Sequence, residues 1–299
     1  MLNIENPFKE AVRVTKIMIY GDGSTYEGQV DQINQKSGYG KLTTIEGDTY
    51  TGEWSNNLMQ GEGIYFWSNG NLYKGSWKLG KMDGSGTLTN TDGSSYKGRW
   101  ANDKKHGQGE LVNKKGGVYK GEFFNDLKHG YGTYREKSGY FYKGNWQKGK
   151  KHGQATETDA FGNCYNGEWC KGKKHGIGRL SSQDQSSYYE GEWKMGKKHG
   201  LGKALANQNY YEGNWVNDKE SGRGKMVYYN GGTYVGEWKG GKRHGVGVMM
   251  FSNGGYYCGG WAKNRMSGPG KRVSKDGSAK IGVWEKNCYK KESAAEKVK

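Results

Sequence analysis

Tyr165-Asn166-Gly167-Glu168-Trp169, with Gly176-Ile177-Gly178 beginning eleven residues after the Tyr, decides the fold of this chain. In the five-residue segment Tyr, Gly and Trp stand at i, i+2 and i+4, so on a β-strand they share one face. Asn166 and Glu168 fall on the other face and suit solvent. Gly176 and Gly178 likewise share a face of the following strand. A glycine there leaves room for an aromatic ring from the neighbouring strand to lie flat. The unit therefore reads as one β-hairpin, with its second strand beginning at Gly-x-Gly.

The segment recurs along the chain. Tyr50 to Trp54, Tyr73 to Trp77, Tyr96 to Trp100, Tyr119 to Phe123 and Tyr142 to Trp146 precede it. Tyr189 to Trp193, Tyr211 to Trp215, Tyr234 to Trp238 and Tyr257 to Trp261 follow it. Weaker copies open the series at Tyr26 and close it at Lys280. Successive starts are 23 residues apart except for steps of 24, 24 and 22. Gly-x-Gly accompanies most copies, but in the sixth Ala155 replaces its second Gly. Three residues before many of the Tyr stands Asn-Gly or Asp-Gly, as at Asn69-Gly70 and Asp92-Gly93. Such pairs predict type I′ hairpin turns.

This repeat explains an unusual composition. Of 299 residues 54 are Gly, with only two Pro, a net charge of +17 and only 39 Leu, Ile, Val and Phe. Those figures alone fit a disordered chain. The 23 Tyr, 11 Trp and 7 Phe contradict that reading, because disordered chains are poor in aromatics. The apolar surface is carried by Tyr and Trp. A large enzyme core built on aliphatic side chains is not available. No apolar stretch is long enough for a transmembrane helix. The four Cys lack metal or redox spacing and read as free thiols of a reducing compartment.

The expected fold is all-β: an elongated, single-layer antiparallel β-meander with one hairpin per repeat. Two strands per repeat at ~4.8 Å each predict a rod of roughly 110 Å. Residues 1–14 form an N-terminal segment, 15–285 the array, and 286–299 a charged tail. Val14 to Tyr20 resembles the second strand of a missing repeat and is expected to cap the first edge. The missing turn glycines near Ser186 and Gln208 predict an altered turn or kink over 181–210.

With Tyr-x-Gly-x-Trp, Lys-x-His-Gly-x-Gly and a Gly-containing turn over about residues 15 to 290, the chain resembles the MORN-repeat family. The resemblance implies a stacked-hairpin array and a scaffold function. Arrays composed almost wholly of such repeats are similar to the radial-spoke-head proteins of motile cilia and to cytoskeletal scaffolds of protists.

Two sets of residues are candidates for binding. The first is the aromatic face: Tyr50, Trp54, Tyr73, Trp77, Tyr96, Trp100, Tyr119, Phe123, Tyr142, Trp146, Tyr165, Trp169, Tyr189, Trp193, Tyr211, Trp215, Tyr234, Trp238, Tyr257 and Trp261. A single-layer sheet leaves one face uncovered by its own chain, which predicts an exposed aromatic groove for a partner. The second is a basic edge: Lys104, Lys105, Lys128, Lys150, Lys151, Lys173, Lys174, Lys197, Lys198, Lys242 and Arg243. Stacked at ~10 Å intervals, these form either a solvated edge or an electrostatic rail for an acidic partner.

Other motifs are by-products of the repeat. His106, His129, His152, His175, His199 and His244 occupy one repeat position. Neighbouring copies ~10 Å apart cannot share one zinc at ~2.0–2.1 Å, so each His reads as a residue of the intra-repeat loop. Gly-x4-Gly-Lys, as in Gly167 to Lys173, imitates a phosphate loop but lacks the following Ser or Thr. No catalytic arrangement, metal cluster, cofactor motif or nucleic-acid module stands out. The expectation is a non-enzymatic scaffold of a cytoskeletal, axonemal assembly, located in cytoplasm, cytoskeleton and cilium and bound to other proteins of that assembly. The alternatives are a peripheral tether holding acidic phospholipid by its basic edge, or a regulatory module for a kinase or myosin. Open edge strands also invite end-to-end self-association.

Overall fold

A computed structural model describes residues 13–290. Among the described residues there are 25 strands and no helix. The chain divides into two compact units. One holds the described residues up to Lys137 together with Asn145–Lys150, and the other holds Ser138–Gly144 and the described residues from Lys151 onward. Within each unit the described pairings join sequence neighbours and are antiparallel, as in Thr49–Ser55 with Leu58–Phe66, or Cys164–Cys170 with Lys173–Ser181. The fold class is therefore the expected all-β hairpin meander. Val14–Ile19 pairs with Thr25–Val30, and Cys288–Lys290 pairs with Ala279–Glu285. The rest of the charged tail lies outside the described residues.

The two kinds of turn differ from the sequence expectation. At Asn69-Gly70, the Gly70 N–H donates to the Trp67 carbonyl at 2.8 Å, and only Gly70 has a positive φ, +90°. That is a type I turn closed by a left-handed glycine, not type I′. The type I′ signature sits at the opposite end of the hairpin. Asn56 and Asn57 follow Trp54 and Ser55 with φ of 49° and 67°. Asn102-Asp103, Asn125-Asp126 and Asn217-Asp218 repeat the pattern. In several copies the second position is Gly, as at Lys171-Gly172.

The second strand consequently starts earlier than Gly-x-Gly. Lys173–Ser181 includes Lys173, Lys174 and His175, and His175 pairs with Glu168. The histidines thus lie in strands and not in a loop. A bulge follows His106, His129, His175, His199 and His244: Gly167 pairs with Gly178 while Glu168 pairs with His175, so Gly176 and Ile177 have no partner on Cys164–Cys170 and pair only with Tyr188–Lys194. The bulge exposes a backbone amide, and the Glu of the motif accepts it. Glu53, Glu122, Glu168, Glu192 and Glu237 each take such an N–H at 2.8–3.4 Å. These glutamates, read as solvated from sequence, are fixed structural acceptors.

Successive hairpins are tied by their tight turns. The side chains of Asn57, Asp103, Asp126, Asp218, Asn264 and Asn287 accept backbone N–H bonds at 2.7–3.0 Å from the hairpin before. The altered region behaves as expected. Asn207-Gln208 forms a tight turn with φ of 48° and 62°, and the loop before it, Ser182–Ser187, is closed by Ser182 N–H on the Ser187 carbonyl.

Candidate binding face

The Tyr and Trp of the motif are the core of the sheet. The motif Tyr side chains are at most 2% exposed, and the Trp at that position are 3–7% exposed. In the first unit each Tyr from Tyr50 on meets its own Trp or Phe and the next copy's, and Tyr26, whose copy has Val30, meets Trp54, with centroids 5.0–5.6 Å apart and planes at 81–89°. This is an unbroken edge-to-face ladder, the favoured geometry for aromatic quadrupoles. In the second unit the same contacts run at 5.1–5.5 Å, with Tyr142–Trp169 longer at 6.0 Å. The Tyr hydroxyls donate to main-chain carbonyls three residues on, as in Tyr165 to Glu168 at 2.9 Å. Most Trp indoles donate to the carbonyl of the second Gly in the preceding copy, as in Trp193 to Gly178 at 3.0 Å.

This corrects the expectation of an exposed aromatic groove. The rings satisfy one another and the glycines, and they do not themselves present a free surface. A Cβ at Gly178 would stand 2.3 Å from the Tyr165 hydroxyl oxygen and 2.6 Å from its ring.

The sixth copy shows what that space is for. Ala155 lies against Gly144 and pairs with Gly167 on the next strand. The Tyr142–Trp169 contact lengthens, and the buried Trp169 indole N–H, whose counterpart acceptor would be the Ala155 carbonyl, has no hydrogen bond. Ala155→Gly is expected to stabilise the chain by roughly 1 kcal/mol, since a recovered buried hydrogen bond and relief of overpacking outweigh the backbone entropy of Gly. Thermal unfolding of the two proteins measures it.

What covers the ladder is a row of side chains, most of them cations, interrupted by Met59, Met82, Glu220 and Met266. In each second strand the residue cross-strand from the motif Trp occupies one repeat position. It is Lys36, Met59, Met82, Lys105 and Lys128 in the first unit. In the second unit Lys174, Lys198, Glu220, Arg243 and Met266 hold the position, and Lys151 lies against Trp169 in the same manner. The Lys128 ammonium is 4.8 Å from the Tyr119 centroid and 4.7 Å from that of Trp146. Lys174 stands 4.7 Å from Tyr165 and 5.3 Å from Trp193, and Lys198 4.9 Å from Tyr189 and 5.0 Å from Trp215. Arg243 lies 4.4 Å from Trp261. Cation–π attraction to the ring faces holds these side chains over the ladder.

The basic edge is therefore two surfaces. Lys104, Lys150, Lys173, Lys197 and Lys242, the first member of each pair, are exposed. Lys105, Lys151, Lys174, Lys198 and Arg243, the second member, are half-buried over the aromatics, together with Lys128, which stands without a basic neighbour before it. Burial pulls the Lys36, Lys174 and Lys198 ammonium groups below their usual pKa. Lys151 pairs with Glu157, which also accepts from the Tyr140 hydroxyl at 2.6 Å. Lys36 escaped sequence reasoning because its copy lacks the Lys-Lys-His signature, yet Val30↔Lys36 puts it at the same position.

The opposite face differs in character. The middle residue of Gly-x-Gly is exposed there, and in the second unit Ile177, Leu201 and Val246 are 58%, 63% and 64% exposed. Among the described residues no group of His, Cys, Asp or Glu is arranged to hold a metal. No helix among them is long and apolar enough to cross a membrane.

Comparison with known proteins agrees with the repeat. The MORN repeat family matches ten segments: residues 50–72, 73–95, 96–118, 119–139, 142–163, 165–187, 189–206, 211–233, 234–256 and 257–279. No curated protein sequence matches the chain. Among solved structures, a mutant of the TCP10 domain of Danio rerio CPAP is 12% identical, covering 74% of this chain and 93% of that one, with a TM-score of 0.34. A catalytically inactive virginiamycin B lyase from Staphylococcus aureus is 9% identical over 91% of this chain and 95% of its own, with a TM-score of 0.13.

Proposed function

Because the chain belongs to the MORN-repeat family, we propose that it is a non-enzymatic scaffold that binds an acidic protein segment along its lysine-covered face. The repeats suggest a protein-binding role, and the proposal places that role in a cytoskeletal assembly of the radial-spoke-head type, in the axoneme of a cilium. The observation that carries it is the row of half-buried cations over the aromatic ladder. Desolvating an ammonium costs free energy that an incoming carboxylate returns. The surrounding rings add apolar contact. Acidic lipid is the second reading, favoured by the exposed Lys104, Lys150, Lys173, Lys197 and Lys242 and by the net charge of +17.

Localising a tagged chain in ciliated cells before and after detergent extraction separates the two. A scaffold stays with the extracted axoneme. Loss of the chain with the detergent, together with sedimentation on phosphoinositide liposomes at physiological salt, would replace it by the membrane reading.

A further inference from the structure

The altered region of the second unit contains a cavity of about 360 Å³ lined by Lys174, Lys198, Asp159, Ser187, Tyr189 and Ala204. Its origin is legible in the repeat. The residue cross-strand from two successive motif Tyr is Leu42, Tyr65, Leu88, Leu111 or Leu180 in other copies, Met226 or Met249 in later ones. At this place it is Ala204, between Tyr189 and Tyr211. The missing side-chain volume opens space over the Tyr189 ring, between two members of the cation row.

The charges in the cavity are unevenly partnered. Asp159 is fully engaged by its own turn, accepting from the Phe161 N–H, the Asn163 N–H and the Asn163 Nδ2, at 2.8–2.9 Å. Neither Lys174 nor Lys198 makes an ion pair among the described residues, in contrast to Lys151 with Glu157. Lys174 and Lys198 are the two cations of the lining; Glu157, Asp218 and Glu220 act on them from outside it, and no carboxylate among the described residues closes on either ammonium as an ion pair. The Ser187 hydroxyl adds a donor, and Leu180, Leu205 and Ala204 add apolar wall.

We propose that this cavity is the anchor subsite of the binding face and receives the carboxylate of a Glu or Asp side chain from the partner, next to an apolar residue of the same segment. It rests on the protein-binding reading above and adds to it a fixed register for the partner. A single carboxylate entering the cavity reaches two ammonium groups that no carboxylate among the described residues contacts. A phosphate monoester carries −1.5 to −2 at neutral pH and would be forced against Asp159. The methylenes of the acidic side chain and the neighbouring apolar residue cover Leu180, Leu205 and the Tyr189 ring.

The test is NMR on the full chain with lysine side chains isotopically labelled, titrated with N-acetyl-Glu-Leu-amide. Parallel titrations use N-acetyl-Gln-Leu-amide and inorganic phosphate. The expected result is a saturable shift of the Lys174 and Lys198 signals with the Glu probe, at least tenfold weaker with the Gln probe, with Lys36 unmoved. Two variants borrow the occupants of other copies and so keep the fold: Ala204→Leu fills the space with both lysines present, and Lys198→Met removes one cation. Each is expected to weaken the Glu probe about tenfold or more. The proposal is overturned if the Gln probe binds as well as the Glu probe, if phosphate saturates the site at lower concentration than the Glu probe, or if Ala204→Leu leaves binding intact. A chain that stays on extracted axonemes while this cavity remains silent would lose the anchor and keep the scaffold reading.

Discussion

Trp193→Ala is expected to cost about 3–5 kcal/mol, the range for emptying a buried aromatic position. Trp193 is 6% exposed, meets Tyr189 and Tyr165 at 5.1 and 5.4 Å, and donates its indole N–H to Gly178. Lys174 also loses one of its two rings. Among the described residues of this unit no second layer closes over the void, so the loss falls on the adjoining strands Lys173–Ser181, Tyr188–Lys194 and Lys197–Ala206. In a stacked array stability is a sum of local and nearest-neighbour terms. Hydrogen exchange is therefore expected to rise steeply in those strands, while Thr49–Ser55 in the other unit keeps its protection. A loss below about 1 kcal/mol would mean that the ladder is not the core.

Gly178→Ala is the second large effect, expected at about 1–3 kcal/mol or somewhat above, the cost of overpacking. Its φ is not in the left-handed region, so backbone strain is not the cause. The cause is contact: the new methyl would meet the buried Tyr165 hydroxyl and ring at 2.3–2.7 Å. The Tyr165 hydroxyl is bonded to the Glu168 carbonyl and can retreat only by giving up that bond. Ala155 marks the natural form of the same lesion, with a lengthened ring contact and an unbonded Trp169 indole. Gly178→Ala and Ala155→Gly should thus move the unfolding midpoint in opposite directions. Equal behaviour at both sites would show that the ring does not need the space.

The repeat made the hairpins legible, because Tyr, Gly and Trp at alternate positions specify a strand face directly. It did not reveal which face is closed. Counting layers suggested that Tyr165 and Trp169 lie open on a single sheet, yet rings standing edge-to-face at close spacing bury one another. Nor did adjacency disclose that Lys173 and Lys174 part company. Period two puts consecutive residues on opposite faces, and it governs this pair only because Lys173–Ser181 is already strand at Lys173. The positive-φ pair is Asn56-Asn57 and its equivalents, not Asn-Gly, and the strand after it takes in the histidines. Ala204 had no motif to announce it. Its signal is an absence, a small residue where other copies carry Leu, Tyr, Met, Glu or Arg.

In the proposed scaffold the inward lysines, held over the ladder, bind the partner and the outward ones do not. Two full-length variants separate them: Lys105→Met with Lys174→Met and Lys198→Met, using the residue found at Met59, Met82 and Met266, and Lys104→Gln with Lys173→Gln and Lys197→Gln. Both remove three charges, so bulk electrostatics are matched. Retention of each on detergent-extracted axonemes is the measurement. The inward variant is predicted to be lost about tenfold or more, equivalent to ~1.4 kcal/mol or more, with the outward variant retained close to wild type. Loss of the outward variant with retention of the inward one would contradict the account.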